Sequence, residues 1–415
     1  MSTRTVRAVI GKNFGDEGKG LAVDYFCSKS PEALVVKHNG GAQAGHTVEQ
    51  GERRFVFHQL SAGSFRRSDT LWARTYYPDL YKLREEVEEF AAVAGFRPAV
   101  YSDAAAPVTL IDDVIVNMLL ETRRGAARHG SCGMGIYEAN LRTRAGFGLT
   151  VGDFLSCDAA TLTARILRTR EEYTRKRIAE ALAAVEADRA GEAFPADDVC
   201  KQYLELLASE NVVENYVDEM LRNAAAFTEI AGDVGALLSK RENIVFESGQ
   251  GLLLDEDNRR FAPHISASKT GLRNPVAILA EHGLEPTEAV YVTRTYVTRH
   301  GAGPLPYECT REALGIAAED ATNVENPWQG RIRYATHGTA EEFTEPVLAD
   351  LRGSGVGQNL RCSLFVTHLD ETGHGFLTAD GPETAESFLA RVPVRDTFAG
   401  YYAAAGREAA DVAEL

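Results

Sequence analysis

Residues 15–20, with the sequence GDEGKG, combine three glycines with a lysine and two carboxylates. Glycines let backbone N–H groups approach an anion closely, and a helix that starts after the loop adds a partial positive charge. Lys19 supplies the point charge that a bound phosphate requires. Asp16 has little use in a phosphate site unless its carboxylate binds a metal ion or moves a proton. The loop therefore predicts a phosphate site with a reactive carboxylate, which we expect Lys19 to keep ionised.

This loop differs from the standard P-loop, in which four residues separate the first glycine from Gly-Lys and a serine or threonine follows. Asn13 stands at the position of the first glycine, and Gly20 replaces the hydroxyl residue. The alternative interpretation is a strand-to-helix turn whose charges are incidental. Taken by itself, the loop leaves both interpretations open.

A second glycine-rich loop, residues 39–47 with the sequence NGGAQAGHT, follows the apolar segment 33–38. Both loops follow short apolar runs, which favours neighbouring parallel strands whose carboxyl ends face one crevice. His46 would then lie near Asp16, where an imidazole can act as an acid. The alternative for His46 is a loop histidine whose ring only hydrogen-bonds within the fold.

Apolar runs of strand length alternate with helical segments along the chain; further strand candidates are residues 54–60, 99–101, 243–247, 289–294 and 362–367. This alternation predicts an α/β fold with a mostly parallel central sheet flanked by helices. Long stretches rich in alanine and charge at 161–190 and 202–240 predict a helical subdomain at about 158–240, within a single domain over residues 1–415.

The composition narrows the classes of partner. The formal net charge of the 415-residue chain is −16, which argues against binding nucleic acid through its backbone. No apolar run approaches the length of a membrane span, and the first residues lack the apolar core of a signal peptide. The six cysteines form no Cys-x-x-Cys pair, which argues against a zinc site or a disulfide framework. We therefore expect a cytoplasmic protein that acts on small molecules.

The two glycine loops together resemble the adenylosuccinate synthetase family, in the motifs 15–20 (GDEGKG) and 40–47 (GGAQAGHT). The resemblance continues at 250–255 (QGLLLD), 298–308 (TRHGAGPLPYE) and 369–370 (LD), so it spans residues 5 to about 370. It implies a P-loop-like, GTPase-related ligase fold with helical insertions. It also implies a cytoplasmic homodimer that joins IMP to L-aspartate with GTP and Mg²⁺.

The resemblance also implies roles for individual residues. Asp16 is the base that removes the purine N1 proton, so that O6 can attack the γ-phosphate of GTP, and it is also a Mg²⁺ ligand together with the Gly45 carbonyl. His46 is the general acid, and Gln250 contacts the purine base; the alternative for Gln250 is a side chain that only ties its own loop. The implied GTP-binding residues are Gly15, Asp16, Glu17, Gly18, Lys19, Gly20, Gly45, His46, Thr47, Arg333 and Asp370. The implied purine-nucleotide residues are Asp16, Lys19, Gln43, Ala44, Cys132, Arg142, Arg144, Gln250 and Ser266.

Several of these nucleotide contacts depart from the family pattern. Ser266 and Cys132 stand where the family has threonines near the nucleotide phosphate, and a thiol is a weak donor. The family takes one phosphate-binding arginine from the neighbouring subunit, and either Arg142 or Arg144 can fill that position. The segment 130–136 (GSCGMGI) replaces Gly-Thr-Thr-Gly-Arg-Gly-Ile, and Gln43 replaces an asparagine.

The segment before Arg333 departs most. The family has a Gly-x-Thr-Thr-Gly-Arg-x-Arg loop that closes over aspartate, whereas residues 323–333 read NVENPWQGRIR. Pro327 and Trp328 replace the small hydroxyl residues of that loop. The expected amino-acid-binding residues are Gln329, Arg331 and Arg333, and Arg331 still indicates a carboxylate-bearing partner.

The region after Asp370 lacks the family's Ser-Thr-Gly-Pro-Asp-Arg segment, which helps to hold guanine, and His368 replaces the usual lysine. GTP is the expected phosphate donor, with ATP as the alternative. The predicted function is ligation of aspartate to IMP or a similar nucleotide. The alternatives are the same chemistry on another purine nucleotide or amino acid in specialised metabolism, and a nucleotide-binding protein without catalysis. Intact Asp16 and His46 disfavour the last.

Overall fold

The structure is a computed structural model that describes residues 4–30, 32–189, 197–317, 325, 328–357, 359–373, 375–391 and 398–415. Its described strands are β1 Thr5–Gly11, β2 Leu34–Lys37, β3 His46–Gln50, β4 Arg53–Phe57, β5 Asp69–Trp72, β6 Val100–Ser102, β7 Glu229–Ile230, β8 Asn243–Gly251, β9 Glu288–Arg294, β10 Val297–Arg299, β11 Glu308–Cys309, β12 Arg333–Ala335, β13 Arg361–Thr367, β14 Gly375–Thr378, β15 Gly381–Thr384, β16 Gly400–Ala404 and β17 Val412–Glu414.

The described helices pack around these strands. They are α1 Lys19–Ser28, α2 Leu83–Ala94, α3 Ile111–Arg124, α4 Ile136–Arg142, α5 Val151–Ser156, α6 Ala159–Thr169, α7 Arg175–Arg189, α8 Asp197–Ala208, α9 Glu210–Phe227, α10 Val234–Ser239, α11 Arg273–Ala280, α12 Ala340–Ser354 and α13 Ala385–Arg391. Helices α6 to α10 occupy the stretch in which we predicted a helical subdomain. None of the helices in the described ranges is both long enough and apolar enough to cross a membrane.

Ten strands form the central sheet in the order β17-β16-β13-β9-β1-β8-β2-β5-β6-β7. Neighbouring strands are parallel except for β17, which pairs antiparallel with β16 at the edge. The predicted α/β fold with a mostly parallel sheet is therefore confirmed. One detail is wrong, because β8 lies between β1 and β2, which we expected to be neighbours. The strand expected at 54–60 is β4, and it pairs with β3 outside this sheet.

The sheet is buried on both faces. Because successive side chains of a strand point to opposite faces, Val9 of β1 joins one hydrophobic cluster while Ala8 and Ile10 join the other. Both faces of a parallel sheet are normally covered by helices, so its central strands are apolar on each side. Polar side chains on these strands therefore concentrate where the strands end.

Candidate functional site

The polar loops that follow β1, β9 and β13 border one cleft, together with the loop that enters β3. The cleft contains about 1100 Å³ of empty space, part of which is open to solvent. Of the predicted GTP-binding residues, the cleft lining includes Gly15, Asp16, Gly18, Lys19, Gly20, Gly45, His46, Thr47 and Asp370. The fold thus brings most of that predicted set to one place.

The first loop is braced from inside by Glu17. Its Oε1 accepts hydrogen bonds from the backbone N–H groups of Asn13 at 2.9 Å and Gly15 at 2.7 Å. Lys19 Nζ donates to Glu17 Oε2 at 3.1 Å and also to the Gly15 carbonyl. Since these contacts occupy the Glu17 carboxylate, only the backbone of Glu17 is left for the predicted contact with GTP.

Gly18 precedes α1 with a left-handed backbone (φ 90°), which a glycine adopts without strain. A Cβ at this position would lie 2.9 Å from the Thr367 side chain, whose hydroxyl donates to the Glu17 carbonyl at 2.8 Å. Thr367 ends β13, so the first loop is held against a second strand of the sheet. The N-terminus of α1 therefore opens towards the cleft, as an anion site requires.

Asp16 lines the cleft, and its carbonyl accepts a hydrogen bond from Arg294 Nε. Burial raises the pKa of Asp16, while the positive charges of His300, Arg294 and Lys19 oppose that rise in decreasing order. Lys19 thus favours the ionised carboxylate, as we expected, but His300 and Arg294 act more strongly in the same direction, and burial opposes all three. His300 was part of a quoted motif, but the sequence did not indicate its position beside Asp16.

His46 begins β3, and its Nδ1 contacts Oε1 of Glu247, the middle residue of β8. The same carboxylate receives the ammonium of Lys37 at 3.4 Å and the backbone N–H of Ala62 at 3.2 Å. Burial lowers the pKa of His46, and Glu247 opposes this shift. Burial would raise the pKa of Glu247, but Lys37 and then His46 outweigh burial and hold it below its usual range. Glu247 was not singled out from the sequence, although a carboxylate in a buried strand indicates a paired or functional group.

The far wall of the cleft carries a chain of polar contacts. Arg294 Nη1 donates to the Tyr296 hydroxyl at 3.0 Å, and that hydroxyl donates to Glu371 Oε2 at 2.6 Å. Gly406 and Arg407, which follow β16, also line the cleft. The C-terminal turn that holds these two residues thus forms part of the cleft wall, although the sequence after Asp370 carries none of the family's guanine-binding motif.

The predicted purine-contact residues meet beside this cleft. Asn39 Nδ2 donates to Gln250 Oε1 at 2.9 Å, and Asn39 Oδ1 accepts from the Gly249 N–H at 2.9 Å. A Cβ on Gly40 would lie within 3.0 Å of both Gln250 and Gln43, so these two amides converge there. Gln250 therefore ties two loops rather than its own loop alone.

Two further members of the predicted nucleotide set are already engaged within the protein. Ser266 Oγ lies 2.8 Å from Ser268 Oγ, and the Ala44 carbonyl lies 2.7 Å from His58 Nδ1. The hydroxyl of Ser266 can still accept a hydrogen bond from a further partner. The Ala44 carbonyl points at the His58 ring, so it is turned towards the protein. Burial raises the pKa of the Cys132 thiol to about 11, so Cys132 is a neutral, weak donor.

The structure separates the two candidate arginines. Arg142 is buried and forms a bidentate pair with Asp113, with N–O distances of 2.8–2.9 Å, and it also donates to the Val108 and Phe147 carbonyls. Arg144 has a side chain that is 57% exposed and pairs with Glu256 at 2.6 Å. The prediction for Arg142 is therefore wrong, since this side chain is buried and four of its five N–H donors bond groups inside the fold.

The amino-acid loop is described only in part, because Asn323, Val324, Asn326 and Pro327 lie outside the described residues. Trp328 packs on the mid-chain loop: a Cβ on Gly133 would lie 3.0 Å from the indole. Gln329 Nε2 donates to the Gly130 carbonyl at 3.4 Å. The altered segments at 130–136 and 323–333 are therefore in contact with each other.

The two arginines after Trp328 differ in their surroundings. The Arg331 side chain is 82% exposed and pairs with Glu325 at 2.8 Å. Arg333 pairs with Glu308 and donates to the Gly303 carbonyl at 2.8 Å. Arg333 thus stabilises the loop after β10 and lies outside the lining of the cleft, which does not fit the prediction that it contacts GTP.

Comparisons with known proteins converge on one family. A family model described as adenylosuccinate synthetase matches residues 8–326. The adenylosuccinate synthetase of Acidithiobacillus ferrooxidans is 28% identical over 327 residues, covering 76% of this chain and 68% of the relative. The adenylosuccinate synthetase of Edwardsiella ictaluri is 29% identical over 313 residues, covering 72% of this chain and 64% of the relative. The chain thus spans about two thirds of the length of the curated relatives it matches.

Two solved structures share the fold. The fully ligated adenylosuccinate synthetase from Plasmodium falciparum has a TM-score of 0.68 at 16% identity, covering 99% of this chain and 100% of that chain. The cyanophage S-2L succinoaminodeoxyadenylate synthetase, bound to dGMP and to dATP as an energy donor, has a TM-score of 0.60 at 14% identity, covering 99% and 95%. At these identities the likeness is one of fold.

Proposed function

Because the chain belongs to the adenylosuccinate synthetase family, a family of C–N ligases, we propose that it joins L-aspartate to IMP with GTP as phosphate donor. The observation that carries this proposal is the meeting of Asp16, Lys19 and His46 in one cleft at the carboxyl edge of the sheet. These residues can supply a base, a phosphate-binding cation and an acid for one phosphoryl transfer.

In the first step, Asp16 takes the N1 proton of IMP, and O6 then attacks the γ-phosphate of GTP. The raised pKa of Asp16 suits this role, because a more basic carboxylate accepts a proton more readily. Lys19 and the backbone N–H groups at the start of α1 bind the phosphates. Glu17 and Thr367 hold that loop in place before the substrate arrives.

His46 serves as the acid at the oxygen between the transferring phosphate and its leaving group. In the free protein, burial disfavours the imidazolium, as the lowered pKa of His46 indicates. Phosphate groups bound in the cleft add negative charge, which favours the protonated ring. In the second step, the amine of aspartate attacks C6 and the phosphate leaves with O6.

Mg²⁺, which the family implies, fits the donor chemistry of the cleft. The Asp16 carboxylate and the Gly45 carbonyl are hard oxygen donors on residues that both line it. Across the described ranges, no group of three or more histidine, cysteine, aspartate or glutamate side chains could hold a metal. Mg²⁺ commonly uses one or two carboxylates together with substrate phosphates. When bound, it would neutralise charge on the transferring phosphate.

For the phosphate donor, we propose GTP rather than ATP. Asp370 lines the cleft, and a carboxylate can accept hydrogen bonds from guanine N1–H and N2–H₂, which adenine cannot reciprocate. We also propose a homodimer in which Arg144 reaches the partner's nucleotide site, because Arg144 is the exposed member of the arginine pair. All six cysteines are described and are free thiols, which supports a reducing cytoplasm.

For aspartate, we propose Arg331 as the carboxylate-binding group, because it is the exposed arginine of the partly described loop. Gln329 and Trp328 shape this loop against residues 130–133. Side chains larger than the family's small hydroxyl residues should leave less space for aspartate beside this loop. We therefore expect a higher KM for aspartate than a hydroxyl-lined loop would give.

The experiment is a coupled assay of the purified protein with IMP, aspartate, GTP and MgCl₂. It follows phosphate release and the absorbance change of the purine, with aspartate omitted as the control. Turnover with another nucleotide or amine, but none with IMP and aspartate, would contradict the proposed substrates. Nucleotide binding without turnover on any pair would favour the non-catalytic alternative.

A further inference from the structure

Glu247 occupies the centre of the sheet, in the middle of β8 between β1 and β2. Its side chain is fully buried, and a buried carboxylate costs free energy unless it is paired and hydrogen-bonded. The fold provides Lys37 from β2, the Ala62 N–H and His46 from β3 as partners. Glu247 therefore collects contacts from three separate segments.

The His46 ring is held by one of its two nitrogens. Nδ1 contacts Glu247 Oε1, whereas Nε2 is buried and has no hydrogen-bond partner among the described residues. Because His46 lines the cleft and Nδ1 faces the sheet, Nε2 is the nitrogen left for a ligand. An ionised carboxylate at Nδ1 requires a proton there, so the contact also selects the tautomer of the neutral ring.

Lys37 provides the charge balance for this arrangement. Its Nζ lies 3.4 Å from Glu247 Oε1 and also donates to the Leu60 carbonyl at 3.2 Å. Lys37 thus pairs with Glu247 without needing the imidazole. The His46 contact is therefore additional to the charge pair, which makes it a candidate for a functional role.

We propose that Glu247 is a positioning residue, which orients the His46 ring and holds a proton on Nδ1. Nε2 then faces the transferring phosphate and carries the second proton once bound phosphates favour the imidazolium. This inference rests on the proposed role of His46 as the acid. A carboxylate or carbonyl that fixes the far nitrogen of a functional imidazole is a recurrent device, and its loss commonly costs about 10- to 100-fold in metal sites and about 10⁴-fold in a serine protease. Glu247 also lies three residues before Gln250 in β8. One strand therefore carries both the residue that orients His46 and the predicted purine contact.

The test compares Glu247→Leu, which removes the acceptor, with Glu247→Gln, whose amide oxygen can still accept from Nδ1–H. We expect kcat of Glu247→Leu to fall by about 10- to 100-fold, with KM values for both nucleotides within about twofold of the wild type. Glu247→Gln should recover most of this loss. Since Glu247→Leu leaves Lys37 unpaired and can impair folding, the double variant Lys37→Met/Glu247→Leu removes both charges and should show the same loss of kcat.

A second readout follows the tautomer directly. In protein labelled with [¹⁵N]histidine, His46 is identified by the signal that is absent from His46→Asn. The wild type should show a protonated Nδ1 and a bare Nε2, and the leucine variants should shift towards the Nε2–H tautomer. Because this measurement needs no turnover, it tests the positioning of His46 even if the assayed substrates prove wrong.

Glu288→Leu is the matched control, because Glu288 is a buried carboxylate of the same sheet that bonds Ser363 and Tyr402 at the start of β9, away from the cleft. It should lower stability while leaving kcat and the His46 tautomer unchanged. An unchanged tautomer in the leucine variants would overturn the proposal. A changed tautomer with an unchanged kcat would overturn it as well.

Discussion

Asn39 donates its side-chain amide to Gln250 Oε1 at 2.9 Å and thereby joins the loop after β2 to the carboxyl end of β8, just before Gly251. Because this contact uses the carbonyl oxygen of Gln250, its amide N–H₂ is the group that can donate to a purine. Asn39 itself is fixed through the Gly249 N–H. We therefore expect Asn39, which the motifs did not single out, to support purine binding by Gln250.

Asn39→Ala should raise KM for IMP by about 2- to 10-fold, since a net hydrogen bond of this kind contributes about 0.5–1.5 kcal/mol. The measurement is steady-state kinetics with IMP varied at saturating GTP and aspartate. Asn215→Ala is the matched control, because this exposed asparagine of α9 donates one hydrogen bond to the Asn211 carbonyl at 2.9 Å, away from the cleft. A change confined to KM for GTP would contradict the prediction.

Asp16→Asn should lower kcat by about 10²- to 10⁴-fold, because the amide cannot accept the N1 proton. The same variant should not be less stable than the wild type. Burial raises the pKa of Asp16, so ionising this group in the folded state costs free energy that asparagine avoids. Kinetics and thermal unfolding at pH 8 check both parts. Full activity would refute the role of Asp16 as the base.

Asp370→Asn should raise KM for GTP at least tenfold and leave KM for ATP nearly unchanged. The reason is that an amide can accept only one of the two guanine N–H bonds that a carboxylate accepts, and its own N–H₂ then opposes the other. Parallel kinetics with the two nucleotides make the comparison. Equal effects on both donors would contradict guanine recognition by Asp370.

Arg142→Ala should mainly lower stability, whereas Arg144→Ala should mainly weaken the binding of IMP. Arg142→Ala leaves Asp113 buried without its partner and should lower the free energy of unfolding by about 3–5 kcal/mol. Arg144→Ala removes an exposed side chain and should change stability by less than about 0.5 kcal/mol while raising KM for IMP. Denaturant unfolding and kinetics distinguish the two. An unchanged KM for IMP in Arg144→Ala would contradict the shared site.

Asp350 should make stability depend on pH. Burial raises its pKa to about 6 despite hydrogen bonds from Tyr291 and the Leu272 N–H. Because the pKa of Asp350 is higher in the folded than in the unfolded state, its carboxyl contributes fully to the free energy of unfolding below about pH 4. This contribution is lost as the pH rises through 6. The difference in unfolding free energy between the wild type and Asp350→Asn should thus fall by roughly 3 kcal/mol from pH 4 to 8.

The control for this pH dependence is Asp198→Asn, at a side chain that is 94% exposed. Denaturant unfolding of all three proteins at several pH values gives the comparison. If the difference in unfolding free energy between the wild type and Asp350→Asn varies with pH as little as that for Asp198→Asn, the pKa of Asp350 is not raised.

The sequence alone determined the alternation of strands and helices, the mostly parallel sheet and the family, because these depend on local apolar runs and on short motifs such as 15–20 and 40–47. It also located Asp16 and His46, since both stand in loops at strand ends.

Only the tertiary structure decided which strands are neighbours and which charges are paired. The insertion of β8 between β1 and β2 brought Glu247 to His46, 201 residues apart in the chain. Arg142 and Arg144 are equivalent as sequence, yet one is buried against Asp113 and the other is exposed. The physical reason is that burial and pairing arise between distant segments, and they determine the direction in which the pKa of Asp16 shifts and which of the two arginines is exposed.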